Sequence, residues 1–248
     1  KKKYTKKDVF FLNERWQSFE AHSQLSYSSK EEIIQQLDKA SISTNKSLKS
    51  STHIIITLGT SWVYRLKESG LAVANCHKVP QDKFQKELLS ITEIIESITV
   101  MISLIKEINP TTNFIFTVSP VRHIKDGFIE NQQSKAHLIT ALHQVIKSHE
   151  NSFYFPSYEI MMDELRDYRF YKEDMIHPNN SAINYIWEKF SENWLSNEAL
   201  QIMQQIKKIQ RNLEHKPFNS ESLSYKEFIK STEQKIKQLQ EKFTHIFF

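Results

Sequence analysis

The chain holds 248 residues, 39% hydrophobic and 25% charged, which suits one α/β domain with an extension and excludes both a membrane protein and a disordered chain. A single cysteine, Cys76, rules out a disulfide framework and a cysteine-based zinc site, and three glycines, Gly59, Gly70 and Gly127, are too few for a P-loop or a dinucleotide-binding loop. The net charge of +4 lies at the ends: residues 1–7 hold five lysines, whereas 8–197 carry 19 basic and 23 acidic side chains, so no nucleic-acid partner is expected.

No apolar run approaches the ~20 residues of a membrane span. The opening Lys1-Lys2-Lys3 lacks a methionine and leads into no apolar signal segment. No membrane association is expected and a cytoplasmic setting is favoured, with the true start of the protein lying before Lys1.

In chain order, Asp8–Leu12 reads as a short strand and Lys30–Ala40 as a helix with Ile33, Ile34 and Leu37 on one side and Ser28 or Ser29 as its cap. Thr52–Leu58 is β-branched, apolar and stopped by Gly59, which predicts a strand buried on both faces. Thr60 to Pro80 is irregular. Phe84, Leu88, Ile91, Ile95, Ile98, Met101 or Ile102, and Ile105 step by fours and threes, predicting a long helix over Asp82–Ile108, stopped by Asn109-Pro110.

Asn113–Val118 is the next strand, Glu130–Ser148 a helix, Ser152–Phe155 a short strand, Tyr158–Tyr171 mixed, and Asn180–Trp194 a helix. Two further helices, Glu198–Leu213 and Leu223–Phe248, flank Pro217. Their apolar stripe suits a hairpin docked on the core, the preferred reading, or a contact with a second copy, a homodimer through the tail. The division expected is 1–196 for the main domain and 197–248 for the helical extension. Alternating strands and helices predict an α/β fold, a three-layer α/β/α sandwich on a central parallel sheet of the flavodoxin-like kind, plus the hairpin. Ligands then bind beyond the carboxyl ends of the strands.

Those ends carry the chemistry. Asp174-Met175-Ile176-His177-Pro178 precedes a helix, and a turn there can bring the carboxylate onto the imidazole. The carboxylate would fix the tautomer and leave the other ring nitrogen as general base. A capped surface histidine fits the same spacing, and the residues alone leave both readings open. Ser61, Ser119 and Ser157 all stand at strand ends; Ser61 is the best local nucleophile of a poor set, and Ser157 reads as a helix cap. Arg122 and His123 could contact substrate or an oxyanion, or Arg122 could tie loops together by pairing with Asp163, Glu164 or Asp167, the favoured reading. Asn75-Cys76-His77-Lys78 lies in a long loop where function is common, and Cys76 reads as a buried structural thiol. His77, His123 and His177 lack metal-ligand spacing, so neither a metal nor another cofactor is expected.

The Asp-x-x-His-Pro ending at Pro178 resembles the last block of the SGNH (GDSL-like) hydrolases, and four stretches, Ile56–Tyr64, Asn75–Lys78, Val118–His123 and Tyr154–Glu159 running on to Asp163–Arg169, resemble more narrowly the bacterial GSCFA domain family. The resemblance covers about Phe10 to Trp194. It implies a serine esterase acting on an acyl or acetyl ester of a carbohydrate or small metabolite. His177 would then be the base, Asp174 its orienting acid, Gly59 and Thr60 an oxyanion-side loop, and Ser61, Asn75, His77, Arg122 and His123 substrate contacts. The sequence departs from the family at one point: the Gly-Ser-Cys-Phe-Ala stretch that carries the nucleophile does not occur here, which places that serine in a segment before Lys1. A non-catalytic interaction module with a self-associating tail is the alternative.

Overall fold

The computed structural model describes residues 2–219 and 221–248. They form two compact units, the first running to Ile183 and the second from Asn184 to Phe248. The first opens with a hairpin, β1 (Phe10–Leu12) and β2 (Arg15–Gln17), followed by α1 (Lys30–Ser50) and β3 (His53–Leu58). Next come β4 (Trp62–Leu66), β5 (Ala72–Val73), β6 (Phe84–Leu88), α2 (Ile91–Ile108) and β7 (Asn113–Val118). The chain then continues through α3 (Phe128–Ser148), β8 (Ser152–Tyr154) and the short α4 (Ser157–Glu159), whose coil widens over Ile160–Glu164. Helix α5 (Asn180–Trp194) runs across the division.

The fold is an α/β sandwich on a central parallel sheet of order β3-β7-β8, with His53 to Leu58 registered on Asn113 to Val118. Phe114, Phe116 and Val118 are fully buried beneath Ile94, Ile98, Ile102 and Ile105 of α2 and Leu138, Ala141, Leu142 and Val145 of α3. Each such aliphatic or aromatic side chain contributes ~1.5–3 kcal/mol on leaving water. This core sets the height of the strand ends, and so the level of the site.

Several expectations are corrected. The helix read over Asp82–Ile108 is two elements: Phe84–Leu88 is a strand and the helix starts at Ile91. Residues four apart share a face in a strand as in a helix, so Phe84 and Leu88 extend the helical pattern without belonging to it. Ser90 marks the true start, in a reciprocal capping box with Glu93. The stretch read as irregular, Thr60–Pro80, supplies β4 and β5, which join β6 in an antiparallel sheet. Strand β3 is half-buried on one face and exposed on the other: it is an edge strand among the described residues, and Ile55 is 54% exposed. The strand at Asp8–Leu12 is confined to the β1–β2 hairpin, outside the parallel sheet. Helix α1 continues ten residues past Ala40, from a Ser29 cap.

In the second unit α6 (Asn197–Glu214) and α7 (Leu223–Lys242) pack through Ile209 and Leu239, with an Asn212 to Thr232 side-chain hydrogen bond of 3.1 Å. Among the described residues no helix is long and apolar enough to cross a membrane.

Candidate active site

The turn before α5 is built by Asp174. Its Oδ1 accepts the backbone N–H groups of Ile176 (2.8 Å) and His177 (2.9 Å), and its Oδ2 lies 2.7 Å from His177 Nδ1. The two backbone donors, then the imidazole, hold the carboxyl down at about 2, so it is ionised throughout the neutral range. Against an ionised carboxylate, Nδ1 carries the ring proton and Nε2 is left as an acceptor. No described residue hydrogen-bonds Nε2, and the side chain is 52% exposed. Met175 takes a left-handed conformation, φ 57°, to close the turn. Backbone bonds from Lys172 N–H to the His177 carbonyl (2.8 Å) and from Arg122 N–H to the Ile176 carbonyl (3.3 Å) fasten it to its neighbours.

Beside this turn, the ends of β3 and β7 are gripped by the first turns of α3. The Lys135 side chain, 1% exposed, donates to the carbonyls of Gly59 (2.7 Å) and Ser119 (2.6 Å). Burial pushes its ammonium down to about 8. Ser134 Oγ accepts from Ser61 N–H (2.8 Å) and lies 2.9 Å from Thr60 Oγ1. Asn131 Oδ1 accepts from His123 N–H (2.8 Å).

His123 closes over the glycine: a methyl on Gly59 would stand 3.2 Å from its Nε2. Burial, then the Lys135 cation and more weakly His177, push the His123 ring below its ordinary value, outweighing the opposing pull of Asp126. Neither the Gly59 nor the Thr60 amide N–H makes a hydrogen bond among the described residues.

Gly59, Thr60, Ser61, Arg122, His123, Asp174 and His177 are thus joined through one chain of contacts at the carboxyl edge of the sheet. Asn75 and His77 belong elsewhere. Asn75 Oδ1 accepts His77 N–H (2.8 Å), and the buried His77 ring meets the Ser18 carbonyl (2.7 Å) and packs against Phe10 and Phe19. Cys76 is half-buried, and burial raises its thiol above the ordinary value.

The three strand-end serines are committed. Ser61, 2% exposed, donates to the Ser134 carbonyl (3.1 Å). Ser157 is no helix cap: it donates to the Val118 carbonyl (2.8 Å) and meets Thr117 (2.6 Å). Ser119 Oγ accepts Val121 N–H (3.2 Å). Of the carboxylates expected to hold Arg122, Asp163 pairs with Arg166 and Asp167 with Arg169. Among the described residues no three His, Cys, Asp or Glu side chains converge as a metal site would require.

Sequence reasoning missed Lys135, although a signal was present. Lys135 falls on the same stripe as Leu138, Leu142 and Val145, and a charged residue on the apolar face of a helix needs a buried partner.

The class defined so far is an α/β protein with a carboxylate–imidazole pair at the carboxyl edge of its parallel sheet. The chain belongs to the GSCFA family, whose profile matches residues 1–190, and the profile of the GSCFA domain protein C-terminal domain matches 206–248. No curated protein and no solved structure matches it significantly.

Proposed function

We propose that this is an SGNH-like serine esterase that cleaves an acyl or acetyl ester of a carbohydrate or small metabolite. The observation that carries the reading is the Asp174–His177 contact of 2.7 Å with Nε2 left open. In the first step a serine oxygen attacks the ester carbonyl while Nε2 takes its proton. That proton then passes to the departing alcohol, leaving an acyl-serine. Water attacks the acyl group, Nε2 again takes a proton, and the proton returns to the serine as the acid leaves. Asp174 remains ionised and stabilises the imidazolium. The unpaired amides of Gly59 and Thr60 stand at the sheet edge as donors for the oxyanion.

The nucleophile would be supplied by a segment outside residues 1–248. Two observations favour this: the strand-end serines are committed, and β3 leaves its outer edge unpaired with Ile55 exposed. A parallel strand added there would complete the sheet and bring a residue at its carboxyl end alongside Gly59. The full-length protein should hydrolyse short aryl esters and be labelled by a fluorophosphonate. His177→Ala should lose at least ~10³-fold in rate. Turnover surviving in that variant would remove the pair from the mechanism.

The second reading, an interaction module, is favoured by the hairpin, which exposes Leu213, Leu223 and Phe247. A full-length protein that neither hydrolyses nor is labelled, and that drops from dimer to monomer when truncated after Leu195, would establish it.

A further inference from the structure

A cleft of about 250 Å³ adjoins the His177 turn, lined by Arg122, Met161, Met162, Leu165, Tyr168 and Tyr171, with Arg166 and Asp167. The Arg122 guanidinium lies over the rings of Tyr171 (4.2 Å to the centroid) and Tyr168 (5.3 Å). One of its N–H groups donates to the Met175 carbonyl (3.4 Å). A guanidinium has five such donors in a rigid plane. Of the charges nearby, Arg166 pairs with Asp163 and Arg169 with Asp167. Arg122 is therefore a positioned cation without a carboxylate partner among the described residues.

Tyr171 is a buried part of the wall. Tyr171 is 8% exposed, and its hydroxyl is shielded and has no hydrogen-bond partner among the described residues. An unpaired buried hydroxyl costs free energy in the empty protein. The Tyr171 ring lies beneath the guanidinium, and Met161, Met162 and Leu165 complete the apolar lining of the cleft.

We propose that this cleft binds the carboxylate of an acidic substrate on a short apolar stem, with Arg122 as its planar counter-ion. This deepens the esterase reading and rests on it for the word substrate: the scissile ester would belong to a small acid. A carboxylate matches the guanidinium edge with two parallel hydrogen bonds, which a lysine cannot reproduce. The volume sets the size, since it falls below the roughly 300–1,000 Å³ of sites for drug-sized ligands. The connection to the catalytic pair is direct: Arg122 holds the carbonyls of Met175 and Ile176, and Tyr171 pairs across to Pro178, the residue after His177.

Titration calorimetry with hexanoate and hexan-1-ol tests this without any turnover. Hexanoate should bind at least about tenfold more tightly than the alcohol, the value of one charge-assisted contact. Arg122→Gln should reduce hexanoate to the alcohol's affinity, and Arg122→Lys should restore only part of the loss. Equal affinities for acid and alcohol, or unaltered hexanoate binding in Arg122→Gln, would overturn the proposal. Should that variant fail to fold, the Arg122 side-chain N–H resonance in the unaltered protein decides: it should shift with hexanoate and not with hexan-1-ol, and its indifference to both would count equally against the cleft. The two readings fail separately. Hexanoate bound through Arg122, with ester turnover unaffected by His177→Ala, would remove the Asp174–His177 pair from the mechanism and leave the acid site. Turnover that needs His177, with hexanoate ignoring Arg122, would do the reverse.

Discussion

Two parts of the same sheet edge are fixed by opposite means. The platform of Gly59, Thr60, Ser61 and Ser119 is held from below by buried donors and acceptors of α3, above all by the Lys135 cation. The turn carrying His177 is held from within, by an exposed carboxylate that accepts two of its own backbone N–H groups. A buried cation on two carbonyls cannot be removed without leaving unpaired groups. An exposed carboxylate can be removed cheaply, because water replaces it. The platform therefore serves stability as much as geometry, whereas the turn can be altered for chemistry alone.

Substitutions should separate the two. The largest effect on rate is expected at the turn, from His177→Ala as set out above. Asp174→Asn should follow, with a loss of ~10²–10⁴-fold in kcat and no more than a slight change in unfolding midpoint. The amide oxygen can still accept the two backbone N–H groups, but it cannot stabilise an imidazolium. A midpoint that collapses in Asp174→Asn would erase the contrast between turn and platform.

Lys135→Met should show the opposite bias, lowering stability by about 2–4 kcal/mol through the orphaned Gly59 and Ser119 carbonyls. The ammonium titrates near 8 in the fold against 10.5 free, so between those values the unfolded chain binds the extra proton and the native state gains. Stability relative to Lys135→Met should thus rise as pH climbs from about 8 to 10.5, by up to about 3 kcal/mol. Denaturant unfolding at pH 7.5 and 10.5 measures it; a difference that stays flat would place the charge in a solvated setting, and one that falls would mean that the fold stabilises the ammonium. The smallest effect is expected at Met175. Asparagine tolerates its left-handed backbone better than methionine does, so Met175→Asn should stabilise by about 0.5–1 kcal/mol. A loss of stability there would mean that the methionine side chain holds the turn.

Much of this was legible along the chain. The Asp174–His177 contact was one of two readings open at a three-residue spacing ahead of a helix, and a local turn closes it without help from distant residues. The strands at 113–118 and 152–155 and the helices α3 and α5 were equally readable, each having its own periodicity and stop signals. The β4–β6 sheet was not: Trp62–Leu66 finds its partner about twenty residues downstream, and Phe84–Leu88 carries a spacing common to both periods. Asn75 and His77 looked like site residues because they lie together in a loop. What they contact is Ser18, Phe10 and Phe19, which no local pattern joins to them.

The sequence by itself determined the elements whose driving forces are local: the apolar stripes of α2 and α3, the capping box at Ser90, and the carboxylate folded onto its own turn at Asp174. The tertiary structure decided which strand ends meet, that Lys135 spans Gly59 and Ser119, and that Arg122 faces tyrosine rings instead of a carboxylate. Those contacts join residues tens of positions apart. Their energy depends on burial and on competing partners, and neither exists until the sheet and α3 have packed.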